Sequence, residues 1–454
     1  MKPQSERLGN EPIPRLLLDL AFPAMIGMLV MSFHNIIDTF FISRFVGTIG
    51  VGALSIALPV QMIIMALSGS FGIGGGSIIS RRLGAKEVDK ANLVLGNVLS
   101  VVIFISIAGI ILGFKLLTPI LYLFGSTETL LPYAQDYLGI ILYGTAFFVF
   151  SMAMNNIIRS EGNAKAAMIS MLISAVLNII LTPIFIAPLG MGVRGAALAT
   201  VIAQGFTVIY LIVYFTSGKS SLHFKAINLR LKWPIIRETT AIGASFFVHQ
   251  AAGSIMIIVA NHMLIFYGGD LAISVFGIIY KILMFSIMPL MGIVQGLLPL
   301  VGYNYGANQH ERVSESILLA IKVSVSLSLL AFIIIMAFPK AIILVFTDEA
   351  AAMKIGVTAL RIMFSLSLTI GIQQITSGVF QALGRAKEAF ILSVSRQIIF
   401  LIPLLLTLPF LFELTGVWMA FPLSDLLSFL LVIWFISKNR NIFFVGQPIV
   451  KGEV

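Results

Sequence analysis

Long apolar stretches follow one another along almost the whole of this sequence. A helix needs about 20 apolar residues to cross a bilayer, and twelve stretches meet that requirement. They cover residues 16–43, 50–78, 93–114, 131–156, 166–187, 192–216, 235–266, 272–302, 315–338, 352–380, 388–411 and 416–437. Only 11% of the 454 residues are charged, whereas a soluble domain has about 25%. The sequence therefore predicts an all-α membrane protein with twelve transmembrane helices.

Lysine and arginine residues are concentrated in alternate loops. The poorer set of loops contains only Arg44, Lys115, Arg194, Lys340 and Lys354. Cytoplasmic loops of membrane proteins carry the excess of basic residues, so both chain termini are predicted to lie in the cytoplasm. The net charge of +10 then reflects orientation in the membrane, and we expect no nucleic-acid partner.

Three pairs of motifs recur at one spacing along the chain, which indicates an internal duplication. The first pair aligns at Gly84 and Gly306, whose numbers differ by 306 − 84 = 222. The second pair has the same offset and the third nearly the same. The paired segments are LGAKEVDKAN (83–92) with YGANQHERVS (305–314), RSEGNAKAA (159–167) with QALGRAKEA (381–389), and GMGVRGAALA (190–199) with LTGVWMAFPL (414–423).

Each repeat contains six of the predicted spans, so the two repeats have the same orientation. Parallel repeats are related by an axis along the membrane normal, and their binding site lies near mid-membrane at the interface. We predict an N-terminal six-helix lobe at residues 1–215, a basic and polar cytoplasmic linker at 216–234, and a C-terminal six-helix lobe at 235–454.

The first apolar span contains an acidic residue, Asp38. His34 and Asn35 precede it by four and three positions, so the three side chains share one face of a helix. An ionisable residue inside a span costs about 2.5–3.5 kcal/mol on insertion scales and is a functional candidate for that reason. We predict that Asp38 acts in transport rather than only in helix packing. His34 or Asn35 could share a proton with it or could only complete a polar patch.

Two further spans carry polar positions at a similar depth. Asn178 and Thr182 lie one turn apart in the fifth span, and Ala196 and Thr200 lie one turn apart in the sixth. At a rise of about 1.5 Å per residue, these positions and Asp38 fall in the outer half of the N-terminal lobe. Carboxylate, amide, hydroxyl and carbonyl oxygens suit a hard cation. The set predicts a Na⁺ site with Asp38, Asn178 and Thr200 as ligands, whereas Asp38 alone could bind a proton.

Five segments together carry a family resemblance. They are DTFFISRFVGTIGVGALSIALPV (38–60), GSIISRRLGAKEVDKAN (76–92), IIRSEGNAKAA (157–167), GMGVRGAALATVIAQ (190–204) and GLLPLVGYNYGA (296–307). The chain resembles the MATE family, the multidrug and toxic compound extrusion transporters, over essentially its whole length. It is most similar to the prokaryotic branch with an acidic residue in the first helix.

The resemblance implies an antiporter in the cytoplasmic (inner) membrane of a prokaryote. Such a protein exports bulky, amphipathic and often cationic compounds by alternating access of two lobes, in exchange for Na⁺ or H⁺ and with no other cofactor. We expect a monomer in the lipid bilayer. The resemblance also places the family's cation-coupling site on Asp38, Asn178, Thr182, Ala196 and Thr200. At Thr182 the chain departs from the family, whose fifth helix usually has a second acid, so Na⁺ and H⁺ both stay open.

The C-terminal half has charged residues inside its spans but no acid equivalent to Asp38. Arg396 and Asp425 lie at similar depths and are predicted to form a structural ion pair, and Arg361 is expected to extend to the outer interface. Lys281 has no evident acidic partner. A wet substrate cavity is predicted from polar residues that could instead join pairs of helices. These residues are Lys281, Gln295, Gln373, Asn155, Asn156 and His249.

Two other functions compete with drug export. A flippase for a lipid-linked precursor has a related architecture, and Lys281 and Arg396 would suit its phosphate groups. A non-transporting scaffold or receptor agrees less well with the duplicated plan. The sequence contains no Walker A segment, no HExxH or GxSxG motif and no cysteine, so we do not expect an enzyme. The energy for transport is then expected to come from an ion gradient.

Overall fold

The computed structural model describes residues 4–444, apart from the side chains of residues 4, 35 and 48. Within these residues the chain is helical and contains no strand. Helices are expected here because the apolar runs are long and the backbone of a lipid-exposed segment must satisfy its own hydrogen bonds. The all-α prediction is confirmed.

Seven helices make up most of the first half of the chain. They are α1 (Ile13–Phe45), α2 (Thr48–Gly84), α3 (Val88–Lys115), α4 (Leu131–Tyr143), α5 (Thr145–Ser160), α6 (Ala164–Ile186) and α7 (Gly192–Thr216). Short helical turns at Gln4–Glu6, Arg7–Asn10 and Leu117–Leu123 complete this half, and Ala226–Leu229 lies in the connection to the second half.

The second half begins with a helix of 74 residues, α8 (Trp233–Gly306). The others are α9 (His310–Ala337), α10 (Ala350–Phe364), α11 (Leu368–Ala382), α12 (Ala386–Val394), α13 (Ile402–Thr407) and α14 (Pro409–Lys438). A π-helical stretch, Ser395–Leu401, joins α12 to α13. Short helices lie at Pro339–Leu344 and Arg440–Phe443.

The number of membrane spans depends on how bent helices are counted. In the described part of the chain, 9 helices are long and apolar enough to cross a membrane, and up to 11 if each bent pair is one span. The pairs are α4 with α5, bent by 55°, and α10 with α11, bent by 48°. Two predicted spans, 235–266 and 272–302, lie together in α8, which departs from helical geometry at Gly269 (φ 64°, ψ −166°). The count of twelve therefore stays a prediction.

The backbone repeats the sequence duplication at its turns. Gly162 follows α5 with φ +87°, and Gly384, at the equivalent position of the second repeat, follows α11 with φ +76°. Lys86 and Asn308, which are separated by the same offset, both have positive φ, 61° and 58°. A positive φ costs little for glycine but is uncommon for other residues. Matching unusual turns at one offset support the interpretation of the chain as a duplication.

The two halves pack closely against each other through α1, α2 and α8. A Cβ atom on Gly74 of α2 would lie 2.1 Å from the carbonyl oxygen of Thr239 and 3.2 Å from the backbone nitrogen of Gly243 in α8. A Cβ atom on Gly296 of α8 would lie 2.7 Å from the nitrogen of Ala21 in α1. Because 296 − 74 and 243 − 21 both equal 222, these contacts are symmetry-related. Small residues allow such close approach between helices.

The hydrophobic core is shared at one end of the molecule and divided at the other. One cluster joins both halves and includes Leu20, Ile79 and Leu300. A second cluster, from Met256 to Phe421, belongs to the second half alone. Smaller clusters, one of them around Ile42, belong to the first half. The halves therefore contact each other near the ends of α2 and α8 and have separate cores elsewhere. The lobe boundaries at 215 and 235 stay a prediction.

Candidate functional site

The carboxylate of Asp38 is linked to α6 through a hydroxyl group. Thr182 Oγ1 lies 2.8 Å from Asp38 Oδ1 and 3.0 Å from Asn178 Oδ1. A hydroxyl has one proton, so Thr182 donates to either the carboxylate or the amide oxygen at one time. Thr182 therefore connects α1 to the rest of the polar group. Its hydroxyl can switch its hydrogen bond between Asp38 and Asn178.

The hydrogen bonds continue from α6 into α7. Asn178 Nδ2 donates to Thr200 Oγ1 at 2.9 Å, and the Thr200 hydroxyl donates to the carbonyl oxygen of Ala196 at 3.0 Å. Residues one turn apart in α6 and in α7 face the same neighbour, which is why these positions meet. The structure thus brings all five residues of the predicted cation-coupling set together in one chain of contacts.

Burial increases from Asp38 into this chain of contacts. Thr182 and Asn178 are 0% and 1% exposed, whereas the Asp38 side chain is 14% exposed. Hydrogen bonds in a medium of low dielectric constant are strong, and polar groups left without a partner there are costly. Asp38 and Thr200, which is also only partly buried, therefore keep some access from outside the helix bundle.

His34 lies one turn before Asp38 on α1. Its Nε2 atom is 3.3 Å from Asp38 Oδ2, but in the described part of the chain neither ring nitrogen has a hydrogen bond of good geometry. A proton on Nε2 would make the contact an ion pair or a hydrogen bond after a small rotation of either side chain. Asn35 lies in the same helix, but its side chain is outside the described residues.

The donors of this site can be compared with both candidate coupling ions. Among the described residues there is no group of three His, Cys, Asp or Glu side chains placed to hold a metal, and Asp38 is the only acid in the set. The oxygens of Asp38, Thr182, Asn178, Ala196 and Thr200 are hard donors suited to Na⁺. They already bond one another, so Na⁺ would have to displace those hydrogen bonds, whereas a proton on Asp38 requires only that Thr182 donate to Asn178 instead.

The other face of α1 lines an open cavity between the two halves. Ile36, Thr39, Phe40 and Ser43 of α1 border about 570 Å³ of space together with Lys281 of α8. Lys281 is exposed and, in the described part of the chain, has no carboxylate within ion-pair distance. One helix therefore presents Asp38 to the polar chain and neighbouring residues to the cavity.

The residues matched by a family model lie in both halves. The MatE model matches residues 23–184 and residues 242–407. The chain belongs to the MatE family. The resemblance in the sequence is thereby confirmed, and the two matched segments agree with a duplication. The family is one of transporters, not a class of enzymes.

MatE proteins of known name and structure are similar to this chain over nearly its full length. The multidrug export protein MepA of Staphylococcus haemolyticus is 29% identical over 430 residues, 94% of each chain. The MATE multidrug transporter DinF-BH, in a structure with a bound ligand, is 49% identical, has a TM-score of 0.91 and covers 98% of this chain and 100% of that one. An outward-facing MATE family transporter of the MOP superfamily is 26% identical, with a TM-score of 0.88 and coverage of 96% and 98%.

A buried ion pair joins the π-helical stretch Ser395–Leu401 to α14 in this MatE chain. Arg396 Nε lies 2.5 Å from Asp425 Oδ1, and the two side chains are 17% and 1% exposed. Arg396 lies in the π-helical stretch, and Gln373 Nε2 donates to the backbone carbonyl of Asp425 at 2.9 Å. Arg361 is exposed on α10. The pairing leaves Arg396 less available to an anionic substrate.

The residues predicted to line one substrate cavity lie in several places. Gln295 and Asn156 line a small cavity between the halves, apart from Lys281. Asn155 is buried and donates to Ala167 O and Ser170 Oγ. His249 is partly buried in the first part of α8. The structure does not bring the six predicted residues together as one set.

One buried acid of this MatE chain was missed from the sequence. Glu161 follows α5, is 0% exposed, and accepts hydrogen bonds from the Tyr214 hydroxyl at 2.7 Å, the Ser220 hydroxyl at 2.8 Å and the Ser221 backbone nitrogen at 2.7 Å. Burial raises the pKa of Glu161 to about 7, against the opposing effect of its hydrogen-bond donors. Glu161 thus attaches the connection after α7 to the end of α5. The recurring RSEGNAKAA motif contained the signal, but spacing alone could not reveal the partners.

Proposed function

We propose that this MatE protein is an antiporter that exports amphipathic compounds in exchange for a small cation bound at Asp38. The observation that carries the proposal is the position of Asp38 on α1: its carboxylate bonds Thr182 at 2.8 Å, while residues of the same helix border the open cavity. A change of charge at Asp38 therefore acts on the helix that contacts the substrate space. The multidrug export names of similar proteins support the same function.

The proton is the first candidate for the coupling ion. When Asp38 is ionised, its carboxylate accepts the Thr182 hydrogen bond. When Asp38 is protonated, the carboxyl group loses its charge and Thr182 donates to Asn178. The attraction between α1 and α6 then weakens, and α1 is free to repack against α6 and α7. Na⁺ is the second candidate, because the five oxygen donors suit it, but one carboxylate holds Na⁺ less strongly than two.

The way the halves meet supports a mechanism of alternating access. They contact each other at the ends of α2 and α8, and the cavity bordered by Lys281 lies between them elsewhere. We propose that α8 comprises two spans that meet at Gly269, which gives twelve spans in all, with both termini in the cytoplasm and two six-helix lobes that rock against each other. The protein would then work as a monomer in the cytoplasmic membrane of a prokaryote.

The substrate class is limited by Lys281. Its exposed ammonium group in the cavity repels a positive group placed beside it, so an exported cation would have to hold its charge nearer to α1. Flipping of a lipid-linked precursor is the second candidate function, favoured by the same lysine. Arg396 gives that function less support than the sequence suggested, since Asp425 neutralises it.

Transport in proteoliposomes tests the proposal. Purified protein is reconstituted, and substrate movement is followed under a pH gradient or a Na⁺ gradient imposed separately. We expect a pH gradient alone to drive uptake or efflux, and Asp38→Asn to remove the driven component while the protein stays folded. Asp270→Asn, at an exposed acid of α8, is the matched control and retains transport. Full drug resistance of cells that express the Asp38→Asn variant would contradict the proposal.

A further inference from the structure

A buried arginine at the end of α5 has no acidic partner among the residues that the structure describes. Arg159 is 7% exposed, and its only hydrogen bond in the described part of the chain runs from Nη2 to the sulfur of Met171, 3.1 Å away. A thioether is a weak acceptor, and the guanidinium group is charged at neutral pH. Within residues 4–444, Arg159 Nε is buried without any hydrogen bond.

The nearest acid in the sequence does not compensate this charge. Glu161 lies two residues later, but its carboxylate is turned to Tyr214, Ser220 and Ser221. Among the described residues, no carboxylate lies within ion-pair distance of Arg159. A charge removed from water without a counter-charge is strongly unfavourable. The site therefore favours a bound negative ion.

Arg159 borders a small cavity between the two halves of the molecule. The cavity offers about 20 Å³ to the centre of a water-sized particle, enough for one such particle. Its polar lining comes from α2, α5 and α8, so both halves contribute to it. The polar residues are Ser77, Ser80, Asn156, Arg159, Ser160 and Gln295.

The polar groups of this cavity that lack a hydrogen bond include two N–H donors. The hydroxyls of Ser80 and Ser160 donate to carbonyl oxygens of their own helices, and Ser77 donates to Gln381 O in α11. Two residues of the lining have N–H groups without a hydrogen bond among the described residues. They are Arg159, through its Nε–H, and Gln295, whose amide also has an acceptor oxygen. Charged and neutral N–H donors with no carboxylate beside them are the ligands of an anion.

We propose that this cavity binds one small monovalent anion, chloride in the cell, between Arg159 and Gln295. Arg159 belongs to the first half and Gln295 to the second, next to the close contact of Gly296 with Ala21. The anion therefore holds the halves together at this end and stabilises the arrangement in which they meet there. The proposal does not depend on cation coupling at Asp38.

Thermal unfolding of the purified full-length protein in detergent tests the site. Sodium gluconate is replaced stepwise by sodium chloride, so that Na⁺ concentration and ionic strength stay constant. An anion that binds only the folded state raises the apparent Tm with the logarithm of its concentration, here by roughly 2 °C for each tenfold increase. We expect this rise in the wild type and in Arg361→Gln, whose arginine is exposed, and its loss in Arg159→Gln.

Several results would overturn the proposal. Equal Tm values of the wild type in chloride and gluconate would mean that the cavity holds only water. An unchanged chloride response in Arg159→Gln would place the anion elsewhere. If Arg159→Gln does not fold, wild-type crystals grown in bromide test the site instead. An anomalous bromide peak beside Arg159 Nε would support the anion site, and the absence of such a peak would exclude it. A bromide peak without a chloride response in solution would show binding at crystal concentration only and would also count against the proposal.

Discussion

Gly84 and Gly306 place the backbones of α2 and α8 in direct contact. A Cβ atom on Gly84 would lie 1.9 Å from the carbonyl oxygen of Tyr303, and one on Gly306 would lie 1.9 Å from the carbonyl oxygen of Arg81. The glycines are also equivalent positions of the duplicated sequence. The contact between the halves thus depends on the absence of two side chains.

Replacement of Gly84 by alanine should separate these helix ends. The new methyl group meets backbone rather than a movable side chain, so the helices must move apart, and the closed arrangement loses population. The chain has no cysteine, so spin labels attach only at the substitutions Asp89→Cys in α3 and Glu311→Cys in α9. The labels report the distance between these two positions. We expect a longer mean distance in the Gly84→Ala variant. A destabilisation of the closed arrangement by about 1.4 kcal/mol would lower its population relative to the separated arrangement roughly tenfold.

Gly277→Ala is the control for that experiment. Gly277 also lies in α8, but a Cβ atom there would meet no atom of the described residues within 4 Å. Alanine in an open helical position stabilises by about 1 kcal/mol or less and should leave the label distance unchanged. The same distance change in both variants would show that helix propensity, not contact, is responsible.

Loss of the Thr182 hydroxyl should uncouple Asp38 from Asn178. Thr182→Val keeps the shape of the side chain but removes the donor that reaches both groups. A hydrogen bond to a charged group contributes about 1.5–3 kcal/mol, so we expect driven transport in proteoliposomes to fall at least tenfold. Thr207→Val removes a buried hydroxyl that, among the described residues, bonds backbone carbonyls alone, and it should retain transport. Wild-type rates in Thr182→Val would refute a role for the hydroxyl.

Loss of one partner of the Arg396–Asp425 pair should lower the stability of the protein more than loss of both partners. Asp425→Asn or Arg396→Gln leaves one charge buried, at a cost of about 3–5 kcal/mol. Replacement of both by leucine removes both charges and should restore most of the lost stability. Thermal unfolding in detergent measures the difference. Equal destabilisation by the single and double variants would mean that packing, rather than charge, is important at this position.

Glu161 should make stability depend on pH. Its pKa is about 7 in the folded protein, above the ordinary value of 4.5, so the folded state keeps the proton when the unfolded state has lost it. The stabilisation is complete below about pH 4.5 and is lost as pH rises to about 7. At about 1.36 kcal/mol per pKa unit, the loss is roughly 3 kcal/mol.

Glu161→Gln mimics the neutral form and should flatten the fall in Tm over this pH range. The control is Glu315→Gln, at an exposed acid of α9, which should keep the wild-type profile. A Glu161→Gln profile that still falls as steeply as the wild type would assign the pH dependence to other groups.

Much of the candidate site was predictable because helix periodicity is local. Asn178 with Thr182 and Ala196 with Thr200 are one turn apart, so their common faces follow from the sequence once the helices are recognised. Their depth follows from counting along each span. The partner of each hydrogen bond does not follow in this way. That Thr182 reaches both Asp38 and Asn178 depends on the separation of α1 and α6, which no spacing encodes.

The helices, the duplication and the family were determined by the sequence itself, because the length of apolar runs and the spacing of motifs are properties of the chain alone. The tertiary structure decided which buried charges have partners. Glu161 is satisfied by Tyr214, more than fifty positions away in the sequence, whereas Arg159 faces a cavity. It also placed Lys281 apart from Gln295. These relationships depend on how separate helices pack, and packing is set by contacts between distant parts of the chain.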